Sequence, residues 1–154
     1  MSTEIDTATR GHAMIRLLDA AFDRFAAELA ARIAQTEFND IRPSHGCVFG
    51  TIDPDGSRLT ELAERAHMTK QSVGEAATEL ELHGYLERVP DPNDGRAKII
   101  RLTERGREAQ TLGRRIIDEI EQEWADSVGA ERVAALRDAL EAVAADRLPA
   151  VPVV

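Results

Sequence analysis

Apolar residues recur along most of this chain at spacings of three and four positions, which predicts a mainly helical fold. One long helix is predicted from about Thr9 to Gln35. Its apolar stripe contains Met14, Leu18, Ala21, Phe22, Phe25, Leu29 and Ile33. A second long helix is predicted after Thr103 and ends at Gly129, and a last helix follows over 130–148. Helices of this length carry more apolar surface than one small domain needs, so we expect a partner chain to cover part of it.

The pattern becomes shorter and more varied between Arg58 and Thr103. Two short helices are predicted, the first with Thr60 as its N-cap and the second over 69–83 with Thr69 as its N-cap. Gly84 is suited to the left-handed position that ends the second helix. Residues 85–90 and 97–102 then alternate apolar and charged side chains, which is the period of a half-buried strand. This order predicts a helix-turn-helix followed by a two-stranded hairpin, the wing.

The hairpin loop is predicted over DPNDGR, with Gly95 near its apex, and Arg58 is expected to add a very short strand beside it. The predicted fold class is α+β, mainly α with a small β-hairpin wing. It comprises an N-terminal dimerisation helix and linker (1–42), a winged helix-turn-helix domain (43–103) and C-terminal helices that complete the dimerisation region (104–154). A short helix after Pro43 is expected to bury Cys47, Val48 and Ile52.

The charge of the chain bears on its partner. Its 154 residues carry a formal net charge of −9, whereas DNA-binding domains usually show a basic surface. The charge is uneven, because residues 65–107 hold eight basic and seven acidic side chains, a net +1 that leaves −10 for the remainder. A locally basic head on an acidic body is compatible with salt-sensitive DNA binding. The alternative that the charge leaves open is an acidic winged-helix module that binds another protein.

Other classes of protein receive little support from the sequence. No apolar run approaches the roughly 20 residues that cross a bilayer, and the N-terminus lacks a signal-peptide pattern, so we expect a cytoplasmic protein without membrane contact. The histidines show no metal-ligand spacing, and neither a phosphate loop nor a nucleophile–base set is present. We therefore predict no metal, no cofactor, no catalytic residue and no enzyme. The single cysteine, Cys47, is interpreted as a small buried thiol, with a thiol redox sensor as the alternative.

Residues 43–108 resemble the multiple-antibiotic-resistance regulator (MarR) family of winged-helix transcription factors. The resemblance is carried by LTELAERAHMTKQSVGEAATELELHGYLERVPDPNDGRAKIIRLTERGRE, with helices on both sides. Its most specific part is DPNDGRAKIIRLT, where an Asp-x-Arg pair precedes a strand that ends in Leu-Thr. The resemblance implies a homodimeric regulator that binds double-stranded DNA.

The chemistry of DNA recognition predicts which side chains bind. A helix enters the major groove with its N-terminal residues nearest the base edges. We therefore expect contacts from six side chains of the second short helix: Thr69, Lys70, Gln71, Ser72, Glu75 and Thr78. Gln71 suits an adenine edge, and Lys70 suits guanine or a phosphate. Glu75 departs from the basic or neutral residue common in the family, and can either accept from a cytosine amino group or repel the backbone.

On the wing, Arg96 is expected to enter the minor groove and Lys98 to contact a phosphate. Asp94 is expected to orient the Arg96 guanidinium, a role that the family resemblance also implies. The alternative for these charges is a solvated hairpin with a weak surface ion pair.

The predicted mechanism is that of a ligand-responsive repressor whose homodimer binds a pseudo-palindromic operator. The first and last two helices would interlock between subunits and bury Leu18, Phe22, Ile120, Trp124, Leu136 and Leu140. The family usually has a small-molecule pocket between these helices and the head, so a small aromatic or phenolic ligand is a further expected partner. Arg16, His45 and Phe49 lie on the segments that would line it. Their alternatives are surface pairing for Arg16 and ordinary packing for the other two.

Overall fold

The computed structural model describes residues 13–145, which divide between Arg114 and Arg115 into two compact units. The fold is mainly helical with one antiparallel hairpin, which confirms the predicted fold class. Its elements are α1 (Met14–Ile33), a 3-10 turn (Pro43–His45), α2 (Gly46–Phe49), α3 (Leu59–Ala66), α4 (Lys70–Leu82), β1 (Leu86–Asp91), β2 (Asp94–Leu102), α5 (Glu104–Val128) and α6 (Ala130–Ala144). Within the described residues, no helix is long and apolar enough to cross a membrane.

The first helix is described over less than its predicted extent. α1 spans Met14–Ile33, and the predicted start from Thr9 to His12 lies outside the described residues, as does the predicted end of the last helix at 146–148. None of the α1 residues is buried within the chain. Its amphipathic pattern therefore forms the helix without supplying a side chain to the core of this single chain.

The core of the first unit lies between the short helices and the hairpin. Val48, Leu62, Val73, Leu80 and Tyr85 are fully buried there. Each large apolar side chain buried in this way contributes about 1.5–3 kcal/mol to folding. This core fixes α4 against α2, α3 and the hairpin, and so determines which face of α4 stays exposed.

The hairpin is tighter than the sequence predicted. β1 and β2 pair antiparallel from Leu86 with Leu102 to Pro90 with Lys98, and an irregularity then brings Asp91 opposite Asp94. Only Pro92 and Asn93 lie between the strands, so the prediction of a six-residue loop with Gly95 near its apex is wrong. The physical reason is an early turn, because the Asn93 amide donates to Asp91 Oδ1 at 2.8 Å.

One face of β2 turns inward. Ile100 and Leu102 are buried, whereas Ile99 is only half-buried. Ile100 lies two residues from Leu102, which is the spacing of side chains on one face of a strand. The extra strand expected at Arg58 is a single bridge between Ser57 and Ile100.

The start of α3 is earlier than predicted. Arg58, rather than Thr60, is the N-cap, and its amide donates to Glu61 Oε2 at 2.8 Å. The glutamate three residues into the helix therefore satisfies a free amide at the helix end, as in a capping box. At the other end, His67 takes a left-handed conformation with φ of 52°.

Two glycines decide how α5 is placed and where it ends. The first turn of α5 packs on the Tyr85 carbonyl, and a Cβ added at Gly106 would lie 2.0 Å from that oxygen. Thr103 Oγ1 accepts from the Gly106 amide at 3.1 Å, so Thr103 caps the start of α5. Gly129, with φ of 104°, separates α5 from α6 as predicted.

Candidate nucleic-acid interface

The N-terminal end of α4 is fixed by its predicted cap. Thr69 Oγ1 accepts from the Ser72 amide at 3.1 Å, and the two hydroxyls lie 2.8 Å apart. Lys70 and Gln71, between them, are exposed on the first turn. Val73, Ala76, Ala77 and Leu80 face the core. The cap and the buried stripe thus place all four predicted N-terminal residues at an exposed helix end.

Lys70, Gln71, Glu75 and Thr78 come together as predicted, along an open groove that also includes Leu59, Gly74, Glu79 and Arg88. Gln71 Nε2 donates to Glu75 Oε1 at 3.1 Å, one helical turn away. Thr78 Oγ1 donates to the Gly74 carbonyl at 2.8 Å. Gln71 and Glu75 are therefore linked to each other, and Thr78 is linked to the helix backbone.

Arg88 is a residue of this surface that the sequence reading missed. It lies on β1, and its guanidinium donates to Thr78 Oγ1 at 3.0 Å and pairs with Glu81 at 3.1 Å. Alternation along the strand indicated only that Arg88 points outward. The packing of β1 beside α4 places its charge on the groove, which periodicity within one strand cannot show.

The wing residues form a separate group on the hairpin. Arg96 and Lys98 are exposed on β2. Asp94 Oδ1 accepts a hydrogen bond from the main-chain amide of Arg96 at 3.0 Å. This contact is made to the backbone of Arg96, whereas the predicted contact was to its guanidinium. Asp94 shapes the chain that carries Arg96, and orientation of the guanidinium itself stays a prediction.

The turn of the wing is joined to the start of α3 by an ion pair. Arg58 Nε donates to Asp91 Oδ2 at 2.7 Å, and the Asp91 side chain is only 3% exposed. The Asn93 amide and then the Arg58 guanidinium hold the pKa of Asp91 below its ordinary value. Since both partners favour the carboxylate, Asp91 stays charged and fixes the wing turn beside the helix-turn-helix.

A second set of polar contacts joins Glu79 of α4 to Arg42 and His45. The buried His45 ring accepts from the Arg42 amide at Nδ1, at 3.1 Å, and its Nε2 lies 2.8 Å from Glu79 Oε2. Arg42 also pairs with Glu79 at 2.5 Å. These contacts, with the bond from His45 the largest cause, hold the pKa of Glu79 below its ordinary value. Both ring nitrogens of His45 are thus occupied within the chain.

The other two predicted ligand residues are not joined by any described contact. Arg16 is exposed on α1. Phe49 is half-buried and packs edge-on against the Tyr85 ring at 6.1 Å between centroids. Packing is therefore established for Phe49 and His45, and a ligand role for these residues stays a prediction.

Cys47 was expected to be a buried thiol, but its side chain is half-buried. Its Sγ donates to the Ser44 carbonyl at 3.1 Å, and burial raises the pKa of the thiol above its ordinary value. A protonated thiol is a weak nucleophile. Among residues 13–145, no group of three or more His, Cys, Asp or Glu side chains is placed to hold a metal ion.

Comparison with known proteins agrees with the arrangement of helices and hairpin. Residues 40–97 match the profile of the MarR family. The exopolysaccharide II synthesis transcriptional activator ExpG of Rhizobium meliloti (strain 1021) is 27% identical over 95 residues, which are 62% of this chain. The chain spans about half the length of this relative, with 49% covered.

Solved structures extend the likeness over most of the fold. The transcriptional repressor CouR bound to a 23-mer DNA duplex superposes with a TM-score of 0.76 at 21% identity, covering 92% of this chain and 99% of CouR. CouR from Rhodococcus jostii RHA1 bound to p-coumaroyl-CoA gives a TM-score of 0.71 at 20% identity, covering 87% and 93%. The profile match covers the helix-turn-helix and the first part of the wing, and the solved structures share the fold, so this part of the chain is similar to the MarR family of winged-helix transcriptional regulators.

Proposed function

We propose that this regulator binds duplex DNA as a homodimer and acts as a repressor at a pseudo-palindromic operator. α4 would enter the major groove, and the wing would reach the adjacent minor groove. The observation that carries the proposal is the exposed polar face of α4, where Lys70, Gln71, Glu75, Thr78 and Arg88 line one open groove. A face built of hydrogen-bonding side chains on a rigid helix is suited to reading base edges.

The charges around this face support a DNA partner over a protein partner. Lys70 lies at the start of α4 and Arg88 lies beside Thr78 and Glu81, in the second half of the helix, while Arg96 and Lys98 extend along the wing. Cations at separated points of one surface are suited to contacting successive phosphates. The net charge of −9 then resides mainly on the rest of the chain, where it does not oppose the approach of DNA as strongly.

Exposed apolar side chains on the terminal helices support the homodimer. On α1, Met14, Leu18 and Phe22 follow one another at four-residue steps, and Met14 and Phe22 are 71% and 73% exposed. On α6, Leu136 and Leu140 are 47% and 43% exposed. Stripes of this kind mark surfaces that a second chain covers. Ile120 was expected to join the dimer interface, but it is already fully buried within one chain.

Two-fold symmetry gives the proposed dimer its operator. Two copies of α4 would be presented about one DNA turn (~34 Å) apart, which suits half-sites of opposite orientation. A repressor of this design acts in the cytoplasm by occupying its operator. Analytical ultracentrifugation of Phe22→Glu tests the assembly, since a charge on the α1 stripe is expected to give monomers and to weaken operator binding.

A small aromatic or phenolic effector is part of the proposal. CouR is described with p-coumaroyl-CoA, and the same fold here carries an exposed Arg16 and a half-buried Phe49. An arginine can hold a carboxylate while an aromatic ring packs on the phenyl group. His45 supports the head in this proposal, because its ring nitrogens are already bonded. The effector would lower operator affinity by favouring another spacing of the two heads.

The DNA proposal is tested by titrating duplexes selected from a random pool with wild type, Lys70→Ala and Arg96→Ala. Lys70→Ala should weaken binding to all sequences and reduce the salt slope by about 1, whereas Arg96→Ala should act most on A·T-rich flanks. Arg132→Ala removes the same charge on α6, outside residues 43–103, and is the matched control. If both head variants keep wild-type affinity and salt slope, the acidic protein-binding module is the better function.

A further inference from the structure

We propose that Gln71 and Glu75 read DNA as one hydrogen-bonded unit, which selects a cytosine in each half-site through its major-groove amino group. The inference rests on the proposed binding of α4 to DNA and adds its base preference. It follows from the hydrogen-bond donors and acceptors on the exposed face of α4 that are not already used within the chain.

The first step is the bond between the two side chains. Gln71 Nε2 donates to Glu75 Oε1 at 3.1 Å, and residues four apart lie on one face of a helix. One amide hydrogen of Gln71 is therefore already used. The unit keeps one amide hydrogen and the carbonyl oxygen of Gln71 together with the remaining carboxylate lone pairs of Glu75, so its acceptors outnumber its donors.

The neighbouring hydroxyl groups add few free hydrogen-bond donors to this surface. Thr78 donates its hydroxyl hydrogen to the Gly74 carbonyl and accepts from Arg88. Thr69 and Ser72 share a hydrogen bond between their hydroxyls, and Thr69 also accepts from the Ser72 amide. Lys70, at the first position of the helix, and Arg88, which donates to Thr78, are cations of this face. Beyond Lys70, the outward face over residues 71–78 is thus rich in acceptors.

An acceptor-rich face discriminates between bases by their major-groove edges. Cytosine presents an amino donor, guanine presents two acceptors, and adenine presents an amino group beside the N7 acceptor. A carboxylate is attracted by the cytosine edge and repelled by the guanine edge. Glu75 therefore favours cytosine, while the free carbonyl and second amide hydrogen of Gln71 suit the neighbouring base.

The carboxylate has a second, opposite effect. Its negative charge lies among the residues that approach the DNA, so it opposes binding to every sequence through repulsion of phosphates. Glu75 should thus lower general affinity while raising base preference. A residue that only stabilised α4 would change both in the same direction, which separates the two roles.

The experiment is selection of bound sites from random duplexes, at one stated salt concentration, with wild type, Glu75→Gln and Glu108→Gln. Wild type should enrich cytosine at one position of each half-site. Glu75→Gln should lose that preference by at least about fivefold and bind mixed-sequence DNA more tightly. Glu108 is exposed on α5, so its variant removes the same charge and should keep the wild-type motif.

Four results would overturn the inference. An unchanged motif with Glu75→Gln, or a wild-type motif with no enriched C·G pair opposite α4, removes the base preference while leaving DNA binding intact. A Glu108→Gln motif that shifts like that of Glu75→Gln assigns the effect to net charge. If wild type enriches no motif and binds no duplex, the proposed function fails together with the inference.

Discussion

The hydroxyl of Tyr85 donates a hydrogen bond to the Asp40 carboxylate, which joins the segment between α4 and β1 to the linker after α1. The same hydroxyl accepts from the Arg105 guanidinium at 3.0 Å, and that guanidinium also lies 4.7 Å from the centroid of the Tyr85 ring. Three segments distant in sequence therefore share one buried phenol. Because Tyr85 follows α4 closely, this contact holds α4 relative to the first turn of α5.

Tyr85 should ionise only at strongly alkaline pH. Burial, followed by the hydrogen bond to Asp40, raises the pKa of Tyr85 from 10.0 to about 12. A raised pKa means that the folded state favours the protonated phenol, so this stabilisation is complete below pH 10 and is lost as the pH rises toward 12. Tyr85 is the one tyrosine of the chain, so tyrosinate absorbance near ~295 nm reports it alone.

The absorbance titration is expected to show a midpoint near 12 in the native protein and near 10 in concentrated urea. Asp40→Asn removes the negative charge next to the phenol, and its native midpoint should fall between these values. A native midpoint equal to that in urea would show that Tyr85 is open to water and that the contact with Asp40 does not persist in solution.

Two glycines of α5 should respond in opposite directions to the same substitution. Gly106→Ala places a methyl group 2.0 Å from the Tyr85 carbonyl oxygen, so α5 must shift, at a cost of about 3 kcal/mol. Gly113→Ala meets nothing within 4 Å in the chain and should stabilise the helix by about 0.5–1 kcal/mol. Urea unfolding followed by circular dichroism measures both. Equal effects of the two variants would contradict the close packing of α5 on Tyr85.

The sequence predicted those features that depend on neighbouring residues. Thr69 was identified as a cap, Gly84 as a helix end and Gly129 as a break, because each position needs a property that only a few residue types have. The exposed face of α4 followed in the same way from its buried stripe. Local chemistry was therefore enough to assign the winged helix-turn-helix and most of its outward side chains.

Contacts between distant residues could not be predicted from the same patterns. His45 and Glu79 are 34 residues apart, and Arg58 and Asp91 are 33 apart. Each pair exists because packing of apolar neighbours brings two segments together, which one sequence does not reveal. The hairpin turn was misplaced for a related reason, since Asp91 bonds to the Asn93 amide and closes the turn before Gly95.

The thiol of Cys47 should react slowly with oxidants and with thiol reagents. Burial raises the pKa of the thiol, so less thiolate is present at neutral pH than for a free cysteine. Native protein should react with a disulfide reagent much more slowly than unfolded protein, and its rate should still rise with pH above the ordinary thiol pKa of 9.0, where the rate of the unfolded protein levels off. Peroxide treatment should leave duplex binding unchanged in both wild type and Cys47→Ser. A loss of binding in wild type alone would favour the thiol redox sensor.

Because of the contact between His45 and Glu79, part of the folding stability should be lost at acidic pH. The bond from His45, with help from Arg42, lowers the pKa of Glu79 below its ordinary value of 4.5. A lowered pKa means that the folded state favours the carboxylate, so its stabilisation is present above pH 4.5 and is lost as the pH falls through the lower, folded-state value. Glu79→Gln removes the charge and should be less stable than wild type at neutral pH.

Urea unfolding at a series of pH values between about 3 and 7 measures this dependence. The difference in unfolding free energy between wild type and Glu79→Gln should be largest at neutral pH and should shrink in acid. Glu108→Gln is the matched control, because Glu108 is exposed on α5 and its removal should change the stability little at any pH. A gap between wild type and Glu79→Gln that stays constant across the series would mean that His45 does not stabilise the charged form of Glu79. The support behind α4 would then have to come from apolar packing alone.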